Sequence, residues 1–407
     1  MTTDVRRVAM VSMHTSPVAP AGAADAGGMN IVLVQTALQL AARGVEVDLL
    51  TRASGEPHAT LLAPGVTLHE IPAGPRRAVA KGQLMEYADE FGEGVARLTG
   101  RDTPHYDVIH AHYWLSGIAT LPVALELGIP FVQSFHTLGA MKNRSLAPGD
   151  APEPETRLRV ETYLANQADA IVAGSSAEVT ALIDEVRAPA DRLWVVPPGV
   201  DAAMFTPTRR SAAAAVRERL GVAAGRAIVT VVGRVQPLKG QDLAIRALAA
   251  MTGQRPLLVI VGDPTPGGER YVDELHALVA SLGVQADVRF VGRVDREGIA
   301  DLLAASALTL VPSHSETFGL VALESAASGT PVIGSRSTGL VESIADGQSG
   351  LLLGSRDPAD WAAGISGLLG APARLLELSS HARDHAEKFS WATAAASLLG
   401  IYASLKR

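Results

Sequence analysis

The chain contains no cysteine among its 407 residues, and aromatic residues make up only 4% of it. Without cysteine, disulfide bonds, thiolate metal sites and cysteine nucleophiles are excluded. A basic run is also missing, and the formal net charge is −7 at pH 7. This balance argues against nucleic acid or an anionic membrane surface as the main partner. An anionic ligand would therefore need a few individually placed cations.

Long apolar runs are absent as well. No stretch reaches about 18 apolar residues, and the polar start Met-Thr-Thr-Asp-Val-Arg-Arg has no signal-peptide core. These features predict a soluble, cytoplasmic protein. The hydrophobic content of 47% is enough for a large core, and a chain of this length is expected to form two or three domains at about 150 residues each.

Short β-branched runs alternate with helical stretches rich in alanine and leucine, a pattern typical of parallel sheets covered by helices on both faces. A first series of strands is predicted near residues 8–12, 45–51, 66–71, 107–112, 130–134, 170–173 and 193–196. A second series is predicted near residues 228–232, 257–261, 288–291, 308–311, 331–334 and 350–353. The sequence thus predicts an α/β fold with two doubly wound, Rossmann-like domains that face each other across a cleft.

Proline and glycine at residues 197–199 interrupt both kinds of element and indicate a domain boundary. We expect an N-terminal domain over residues 1–200 and a second domain over residues 201–388, with a last helix in residues 389–407 returning to the first. Ligands of such sheets bind at the carboxyl ends of the strands, so one deep cleft should lie between the domains. A proline-rich loop at residues 144–155 is expected to cover it.

The most informative motif is a pair of glutamates, Glu316 and Glu324, around a glycine and an apolar run. A helix is predicted over residues 318–328 and ends at Gly329, so the two carboxylates can address opposite ends of one ligand. Carboxylates accept hydrogen bonds from paired hydroxyls, and amides at a helix N-terminus suit a phosphate. An isolated pair of this spacing is more often two solvated glutamates, but other segments favour the binding interpretation.

Two further segments point to a phosphate. Arg234 and Lys239 follow the first strand of the second series and precede a helix, where both cations can converge on a diphosphate and stabilise it as it leaves. The alternative is a surface loop with two solvated bases. Gly27 and Gly28 precede the first helix, where backbone amides can approach an anion closely. No Gly-x-Gly-x-x-Gly or Walker motif is present, so dehydrogenases and NTPases lack support.

Histidines end two neighbouring strands of the first series. His110 and His112 share one face of a strand, and His136 follows the next strand. A metal site would need a third ligand that the sequence does not show, so hydrogen-bonded histidines are the favoured interpretation. No Asp-x-Asp occurs anywhere in the chain, which removes the usual cation site of metal-dependent sugar transferases. We expect neither a catalytic metal nor a required cofactor.

Taken together, these residues resemble the retaining, two-domain (GT-B) glycosyltransferases of family 4, and within them the D-inositol 3-phosphate glycosyltransferases of mycothiol biosynthesis. The resemblance spans nearly the whole chain. In the first half it rests on Ser12-Met13-His14-Thr15-Ser16-Pro17, Asp25-Ala26-Gly27-Gly28-Met29-Asn30, His112-Tyr113-Trp114-Leu115-Ser116-Gly117 and His136-Thr137-Leu138. In the second half it rests on Val232-Gly233-Arg234, Pro237-Leu238-Lys239, Ser315-Glu316-Thr317-Phe318-Gly319-Leu320-Val321 and Phe389-Ser390-Trp391.

The resemblance implies transfer of N-acetylglucosamine from UDP-N-acetylglucosamine, as co-substrate, to an inositol phosphate with retention at the anomeric carbon. It also implies a small polar, phosphorylated acceptor and allows a homodimer. The implied catalytic residues are Arg234, Lys239, His136 and Glu316. The implied donor-binding residues are Gly28, Arg234, Lys239, Glu316, Phe318, Gly319, Leu320 and Glu324. The implied acceptor-binding residues are His14, Thr15, Asn30, Lys81, Tyr113, Thr137 and Arg157.

Three other functions remain open at this stage. A family 4 transferase of a specialised pathway could keep the framework and use another nucleotide sugar or another polyol, sugar-phosphate or small-molecule acceptor. A non-catalytic sugar-nucleotide sensor would not require both cations and both glutamates. A glycogen-phosphorylase-like enzyme shares the architecture but needs a lysine that holds pyridoxal phosphate, and no lysine of this chain can be assigned to that role.

Overall fold

The computed structural model describes residues 5–20, 26–100, 105–147, 150–265 and 267–406. Within them, the first half of the chain forms one sheet in the spatial order β3-β4-β2-β1-β5-β6-β7-β8. Its strands are β1 (Arg7–Val11), β2 (Glu46–Arg52), β3 (Ala59–Ala63), β4 (Val66–Ile71), β5 (Val108–His112), β6 (Phe131–Ser134), β7 (Ala170–Ala173) and β8 (Leu193–Val195).

The second half forms another sheet, in the order β11-β10-β9-β12-β13-β14. Its strands are β9 (Ile228–Val232), β10 (Leu257–Val261), β11 (Val288–Gly292), β12 (Leu308–Val311), β13 (Val332–Ser335) and β14 (Gly350–Leu353). The strand order reverses direction beside β1 in one sheet and beside β9 in the other, which is the doubly wound arrangement. The predicted fold class, two Rossmann-like sheets of the GT-B type, is confirmed.

The helices of the described chain cover the faces of both sheets. They are α1 (Gly28–Ala41), α2 (Ala88–Thr99), α3 (Trp114–Leu127), α4 (Gly139–Arg144), α5 (Glu155–Gln167), α6 (Ser176–Asp184), α7 (Ala213–Leu220), α8 (Gln241–Ala250), α9 (Glu269–Ser281), α10 (Arg296–Ala305), α11 (Leu320–Ala327), α12 (Leu340–Ser343), α13 (Pro358–Leu369), α14 (Pro372–Ala386) and α15 (Trp391–Leu405). None of these helices combines the length and the apolar character needed to cross a bilayer.

One strand departs from the prediction of purely parallel sheets. Strand β3 pairs with β4 in antiparallel fashion, with Ala59 opposite His69. The two strands are joined by a tight turn at Gly65, whose φ of +79° lies in the left-handed region. Strand β3 lies at the edge of the sheet, and its Leu61 is 69% exposed. An edge strand of this kind is not buried on both faces, so the sequence of β3 lacks the continuous β-branched run by which buried strands can be recognised.

The chain passes from the first sheet to the second through residues 197–205 and returns at residues 389–391. The two crossings run side by side, because the Val200 amide donates to the Phe389 carbonyl at 3.0 Å. Helix α15 then packs against α1. Its buried Leu398 and Tyr402 belong to the same core cluster as Leu33 and Leu40 of α1. The last helix is therefore part of the core that supports the first sheet.

We predict that Gly199→Ala destabilises the protein, because the added methyl group would lie 2.1 Å from the backbone nitrogen of Trp391. Overpacking of this kind costs about 1–3 kcal/mol. Gly400→Ala on α15 is the matched control, since its methyl group would meet nothing within 4 Å and alanine favours a helix. Thermal unfolding of both variants tests the prediction. An unchanged Tm for Gly199→Ala would show that the two crossings can separate at little cost.

Candidate active site

A cavity of about 940 Å³ lies between the two sheets. Its wall is built by residues that follow the carboxyl ends of strands in both sheets, the position expected for ligands of doubly wound folds. Fourteen of the sixteen site residues indicated by the sequence line it: His14, Gly28, Asn30, Lys81, Tyr113, His136, Thr137, Arg234, Lys239, Glu316, Phe318, Gly319, Leu320 and Glu324. The fold thus brings residues from 14 to 324 into one place.

Lys239 and Glu316 form an ion pair in this cavity, with Nζ 2.6 Å from Oε1. The hydroxyl of Ser313 donates to the same carboxylate oxygen at 2.7 Å. The backbone of Glu316 is held by Thr338, whose hydroxyl donates to the Glu316 carbonyl at 2.6 Å and accepts from its amide at 2.8 Å. Glu316 and Lys239 are therefore fixed relative to each other before any ligand binds.

Arg234 and Lys239 lie on the connection between β9 and α8, as the sequence predicts. The turn is held by Gln241, whose amide group donates to the Arg234 carbonyl at 2.9 Å. Gly240 has a φ of +69°, and a methyl group there would lie 2.2 Å from the Pro312 carbonyl oxygen. Only glycine suits this close approach. The connection between β9 and α8 therefore packs closely against Pro312, in the segment that leads to Glu316.

Glu324 lies on α11, which begins at Leu320 after Gly319 in the left-handed region. Burial raises the pKa of its carboxyl group, and Arg296 opposes this rise. An Arg296 guanidinium nitrogen lies 3.1 Å from Glu324 Oε1. Arg296 is not part of any motif recognised in the sequence, although its position at the start of α10, just after β11, is a signal that could have identified it.

The beginnings of α1 and α11 approach each other across the cavity. A methyl group on Gly28 would come within 3.1 Å of the Leu320 side chain, so the start of α1 lies close to the opposite domain, and the approach of an anion to the Gly27-Gly28 pair stays a prediction. The first residues of both helices line the space between the sheets, and helix N-termini favour an anion. Asp25 of the same motif lies outside the described residues.

Cations and donors cluster around Tyr113 on the other side of the cavity. Lys81 Nζ lies 5.2 Å from the centre of the Tyr113 ring and the Arg157 guanidinium carbon lies 5.0 Å from it, both within reach of a cation–π contact. Burial raises the pKa of Tyr113 to about 12, so its hydroxyl stays a donor. This buried hydroxyl has no hydrogen-bond partner in the described part of the chain.

His14 packs against Tyr113, with ring centres 4.4 Å apart and the ring planes tilted by 38°. Burial lowers its pKa well below the ordinary value, and Lys81, His136, Arg157 and Arg234 lower it further. Three of these groups, Lys81, Arg157 and Arg234, are cations at neutral pH, and they come from both halves of the chain, so positive charge from both domains lies near this uncharged imidazole.

The resemblance implies that Arg157 contacts the acceptor directly. In this conformation, however, its side chain does not reach the cavity wall. It is 1% exposed, and its guanidinium bonds Glu161 at 2.6 Å and Glu153 at 2.9 Å. Its Nη2 donates to the carbonyl oxygen of Thr137 at 2.7 Å and to the Thr137 hydroxyl at 3.0 Å. Arg157 therefore supports Thr137 from behind, and Glu153 and Glu161 are partners that the sequence analysis missed.

Thr15 is likewise absent from the cavity wall. The Asn30 amide donates to the Ser16 carbonyl at 2.6 Å and approaches the Thr15 hydroxyl at 3.4 Å. The side-chain oxygen of Asn30, Oδ1, accepts from the Gly27 backbone amide at 3.1 Å. The two side chains thus fix the loop between β1 and α1 against the start of the helix.

The loop at residues 144–155 is an irregular connection between α4 and α5, as predicted, for the part that the structure describes. Lys142 forms an ion pair with Glu153, and Asn143 accepts from the Glu153 amide at 2.7 Å. Pro148 and Gly149 lie outside the described residues. None of the described residues between 144 and 155 lines the cavity.

The two histidines of β5 and His136, which follows β6, are hydrogen-bonded. His110 contacts Tyr402 Oη at 2.6 Å through Nδ1 and Ser134 Oγ at 2.9 Å through Nε2. His112 Nδ1 lies 2.7 Å from His136 Nε2. Burial lowers the pKa of all three rings, that of His110 to about 3 and that of His136 to about 4. In the chain as described, no three His, Asp or Glu side chains converge to hold a metal ion.

Two hydrogen bonds join the domains across the cavity. The Thr317 hydroxyl donates to the backbone carbonyl of His136, and the Ser176 amide donates to a Glu342 carboxylate oxygen at 2.7 Å. His136 has a φ of +59°, an uncommon conformation for a residue with a Cβ atom that is often found at functional sites. The segment that carries Glu316 is thus bonded directly to the loop that carries His136.

Glu178 is a buried carboxyl group in the cavity wall that the sequence analysis also missed. Its Oε2 accepts from the Gly174 amide at 2.8 Å, while Oε1 has no partner among the described residues. Burial raises its pKa to about 7, although the Gly174 amide opposes the rise. Its position on α6, just after β7, gave no sequence signal because glutamate is common in first turns of helices.

Glu178→Gln is expected to raise the Tm at pH 8 and to leave it nearly unchanged near pH 4.5. The folded pKa is raised, so Glu178 contributes stability below the unfolded value of about 4.5, and this contribution is lost as the pH rises through about 7. A shift of this size corresponds to roughly 3 kcal/mol. The exposed Glu218→Gln is the control. A Tm gain that does not depend on pH would contradict the prediction.

Two family descriptions together match most of the chain. "Glycosyltransferase Family 4" matches residues 26–204, and "Glycosyl transferases group 1" matches residues 213–388. The D-inositol 3-phosphate glycosyltransferase of Stackebrandtia nassauensis is 43% identical over 406 residues, which cover 98% of this chain and 91% of the relative. That of Nocardiopsis dassonvillei is 44% identical over 405 residues, 97% of this chain and 94% of the relative.

Solved structures show the same architecture. A sucrose-phosphate synthase from Thermosynechococcus elongatus superposes with a TM-score of 0.90 at 30% identity, over 98% of this chain and 99% of that one. Anabaena HepE in complex with UDP and glucose has a TM-score of 0.78 at 23% identity, over 98% and 100% of the two chains. The two family matches, together with two facing Rossmann-like sheets around this cavity, identify a glycosyltransferase of the GT-B class. The chain belongs to glycosyltransferase family 4, together with the D-inositol 3-phosphate glycosyltransferases.

Proposed function

We propose that this glycosyltransferase moves N-acetylglucosamine from UDP-N-acetylglucosamine to 1D-myo-inositol 3-phosphate, with retention at the anomeric carbon, as a step of mycothiol biosynthesis. The names of its relatives at 41–44% identity support the inositol phosphate acceptor. The observation that carries the proposal is a set of donors on one side of the cavity: Lys81, Tyr113 and Thr137.

These three donors suit a phosphate dianion. The Thr137 hydroxyl accepts from Arg157 at 3.0 Å, so its own hydrogen can point into the cavity. The Tyr113 hydroxyl is buried and without a partner among the described residues, and Lys81 supplies a charge. Charge-assisted hydrogen bonds to phosphate are the strong kind. A neutral polyol would not require such a group of donors.

The opposite side of the cavity suits the nucleoside diphosphate. In the proposed reaction, Arg234 and Lys239 contact the diphosphate and stabilise the negative charge that grows on it as the bond to the sugar breaks. Glu324 accepts from the ribose hydroxyls, and Glu316 and His136 contact the sugar. The amides that begin α11, after Phe318 and Gly319, also face the diphosphate. Charge stabilisation is thereby provided by side chains and backbone, so we propose that neither a metal ion nor a cofactor is needed.

The acceptor hydroxyl is proposed to attack the anomeric carbon from the same face that the diphosphate leaves, and the hydroxyl proton passes to the departing diphosphate oxygen. The donors around Tyr113 hold the acceptor phosphate, and Lys239 and Arg234 hold the leaving group on the other side of His14. Closing the two domains excludes water from the activated sugar. The Thr317 bond to the His136 carbonyl supports this arrangement, because it joins the donor and acceptor segments directly.

The proposal is tested by incubating the protein with UDP-N-acetylglucosamine and 1D-myo-inositol 3-phosphate, without added divalent cation and with a chelator. We expect release of UDP and a product whose proton NMR spectrum shows the α-configured sugar. UDP-glucose serves as the comparison donor. A β-linked product would contradict retention, and turnover that requires a divalent cation would contradict the proposed role of Arg234 and Lys239.

A further inference from the structure

His112 and His136 share a hydrogen bond whose proton can reside on either ring. His112 Nδ1 and His136 Nε2 are 2.7 Å apart, and the two rings meet edge to edge, with centres 5.0 Å apart and planes inclined by 22°. Burial lowers the pKa of both rings far enough that neither carries a charge at neutral pH. Of the two neutral rings, one must donate and the other must accept.

The neighbouring ring, His110, has its protons fixed by its partners. The Ser134 hydroxyl donates to the Val172 carbonyl at 3.0 Å, so toward His110 Nε2 it can only accept. His110 therefore carries its proton on Nε2, and its Nδ1 accepts from the Tyr402 hydroxyl at 2.6 Å. This ring lies against His112 with centres 4.1 Å apart. Tyr402 of the C-terminal helix α15 thus holds the His110 ring, and the His110 ring packs against one face of His112.

The second nitrogen of His112 decides which ring donates. His112 Nε2 is buried and has no hydrogen-bond partner in the described chain. If His136 donated, His112 would carry its proton on this nitrogen, which would leave a buried N–H without an acceptor. If His112 donates, only a lone pair is left there, and unpaired buried acceptors are more common in proteins than unpaired buried N–H groups. The network therefore assigns the shared proton to His112.

The proton on His112 also determines which nitrogen of His136 is protonated. When Nε2 accepts from His112, a neutral His136 must carry its proton on Nδ1. His136 lines the cavity, and in an imidazole ring Nδ1 points away from the Nε2 that is bonded to His112. The ring is held by its bond to His112, and the backbone of the same residue is held by the bond from Thr317 to the His136 carbonyl. His136 thus presents an N–H donor in a fixed direction.

We propose that His112 is a positioning residue that holds His136 as the Nδ1–H tautomer, so that His136 donates a hydrogen bond to a hydroxyl oxygen of the transferred sugar. The role for the sugar rests on the proposed function, whereas the tautomer belongs to the protein alone. The site then selects a sugar with an oxygen at that position, because a deoxy sugar would leave a buried N–H unpaired.

The tautomer is tested first, on the full-length protein labelled with ¹⁵N-histidine and without any substrate. Long-range proton–nitrogen correlation spectra distinguish a protonated from an unprotonated ring nitrogen, and a His136→Gln sample assigns the signals. We expect His136 to be protonated on Nδ1 and His112 on Nδ1. Protonation of His136 on Nε2 would overturn the proposal, whether or not the protein uses UDP-N-acetylglucosamine.

The function of the pair is tested with two variants of His112. The amide of His112→Asn can still donate to His136 Nε2, and we expect kcat within about fivefold of wild type. His112→Leu cannot donate, and we expect kcat to fall about 10- to 100-fold with little change in donor KM, the range for loss of one oriented donor. Equal activity of the two variants, with a Tm close to that of wild type, would overturn the positioning role.

A panel of UDP-N-acetylglucosamine analogues that lack the 3-, 4- or 6-hydroxyl group completes the test. We expect wild type to use one of the three at least tenfold less well than the parent donor, and His112→Leu to lose that discrimination. If wild type uses the parent and all three analogues equally well, His136 does not donate to a sugar hydroxyl. If it uses none of the four donors while the NMR result holds, the proposed donor is wrong and the tautomer assignment stands.

Discussion

Replacing Lys239 with alanine is expected to lower kcat by about 100-fold or more, and Arg234→Ala is expected to do the same. Both side chains line the cavity on the connection between β9 and α8. Negative charge grows on the leaving diphosphate, so its cations bind the transition state more strongly than the ground state. A 100-fold loss corresponds to about 2.7 kcal/mol. Steady-state kinetics with saturating donor measure it.

Lys388→Ala, a change on the surface loop before the second crossing, is the control for the loss of a lysine. In Lys239→Ala, the Glu316 carboxylate loses its ion pair with Lys239, so the stability of this variant must also be measured. The Ser313 hydroxyl still donates to it, so the fold should persist, and the Tm verifies this. Turnover near that of wild type in both Lys239→Ala and Arg234→Ala would remove the basis for the proposed diphosphate site.

Lys81→Ala is expected to raise the KM for 1D-myo-inositol 3-phosphate by about 10- to 100-fold while the donor KM changes little. A hydrogen bond between charged groups contributes about 1.5–3 kcal/mol, and this range sets the expected factor. Lys81 lines the cavity beside Tyr113. The exposed Arg76→Ala, in the segment that precedes it, is the matched control. Equal acceptor KM values for Lys81→Ala and Arg76→Ala would place the phosphate elsewhere.

Arg157 is a poorer probe of the same site, although the resemblance names it as an acceptor contact. Its guanidinium is enclosed by Glu153, Glu161 and Thr137. Removing it would leave the buried carboxylate of Glu161 without its cation, a change that typically costs about 3–5 kcal/mol. Arg157→Ala would therefore report on folding before it reported on the acceptor.

The sequence predicts the sheets well because each buried parallel strand can be recognised from its own residues, without knowledge of its neighbours in the sheet. Continuous β-branched and apolar runs identified β4, β7, β9, β10, β12 and β14 with the bounds that the structure has. The exposed edge strand β3 carries no such signal. Helix α11 was expected from residue 318 but begins at Leu320, because Gly319 takes a left-handed conformation that stops the helix there.

The site residues were predictable where a motif places them at the end of a strand, and unpredictable where packing decides their partners. Glu316 and Lys239 are far apart in the chain, and only the order of β9 and β12 in the sheet makes them neighbours. The pairing of Glu324 with Arg296 depends in the same way on the packing of α10 against α11. Whether Arg157 faces the cavity or lies behind Thr137 depends on side-chain packing that no sequence spacing encodes.

The most direct test of the central claim compares kcat/KM for 1D-myo-inositol 3-phosphate with that for free myo-inositol, in wild type and in Lys81→Ala, at saturating UDP-N-acetylglucosamine. If the donors around Tyr113 hold a phosphate, wild type should prefer the phosphorylated acceptor by about 100-fold or more, and Lys81→Ala should lose most of that preference, since each charge-assisted contact contributes about 1.5–3 kcal/mol. Equal use of the two acceptors by wild type, or an undiminished preference in Lys81→Ala, would contradict a phosphate site at this position.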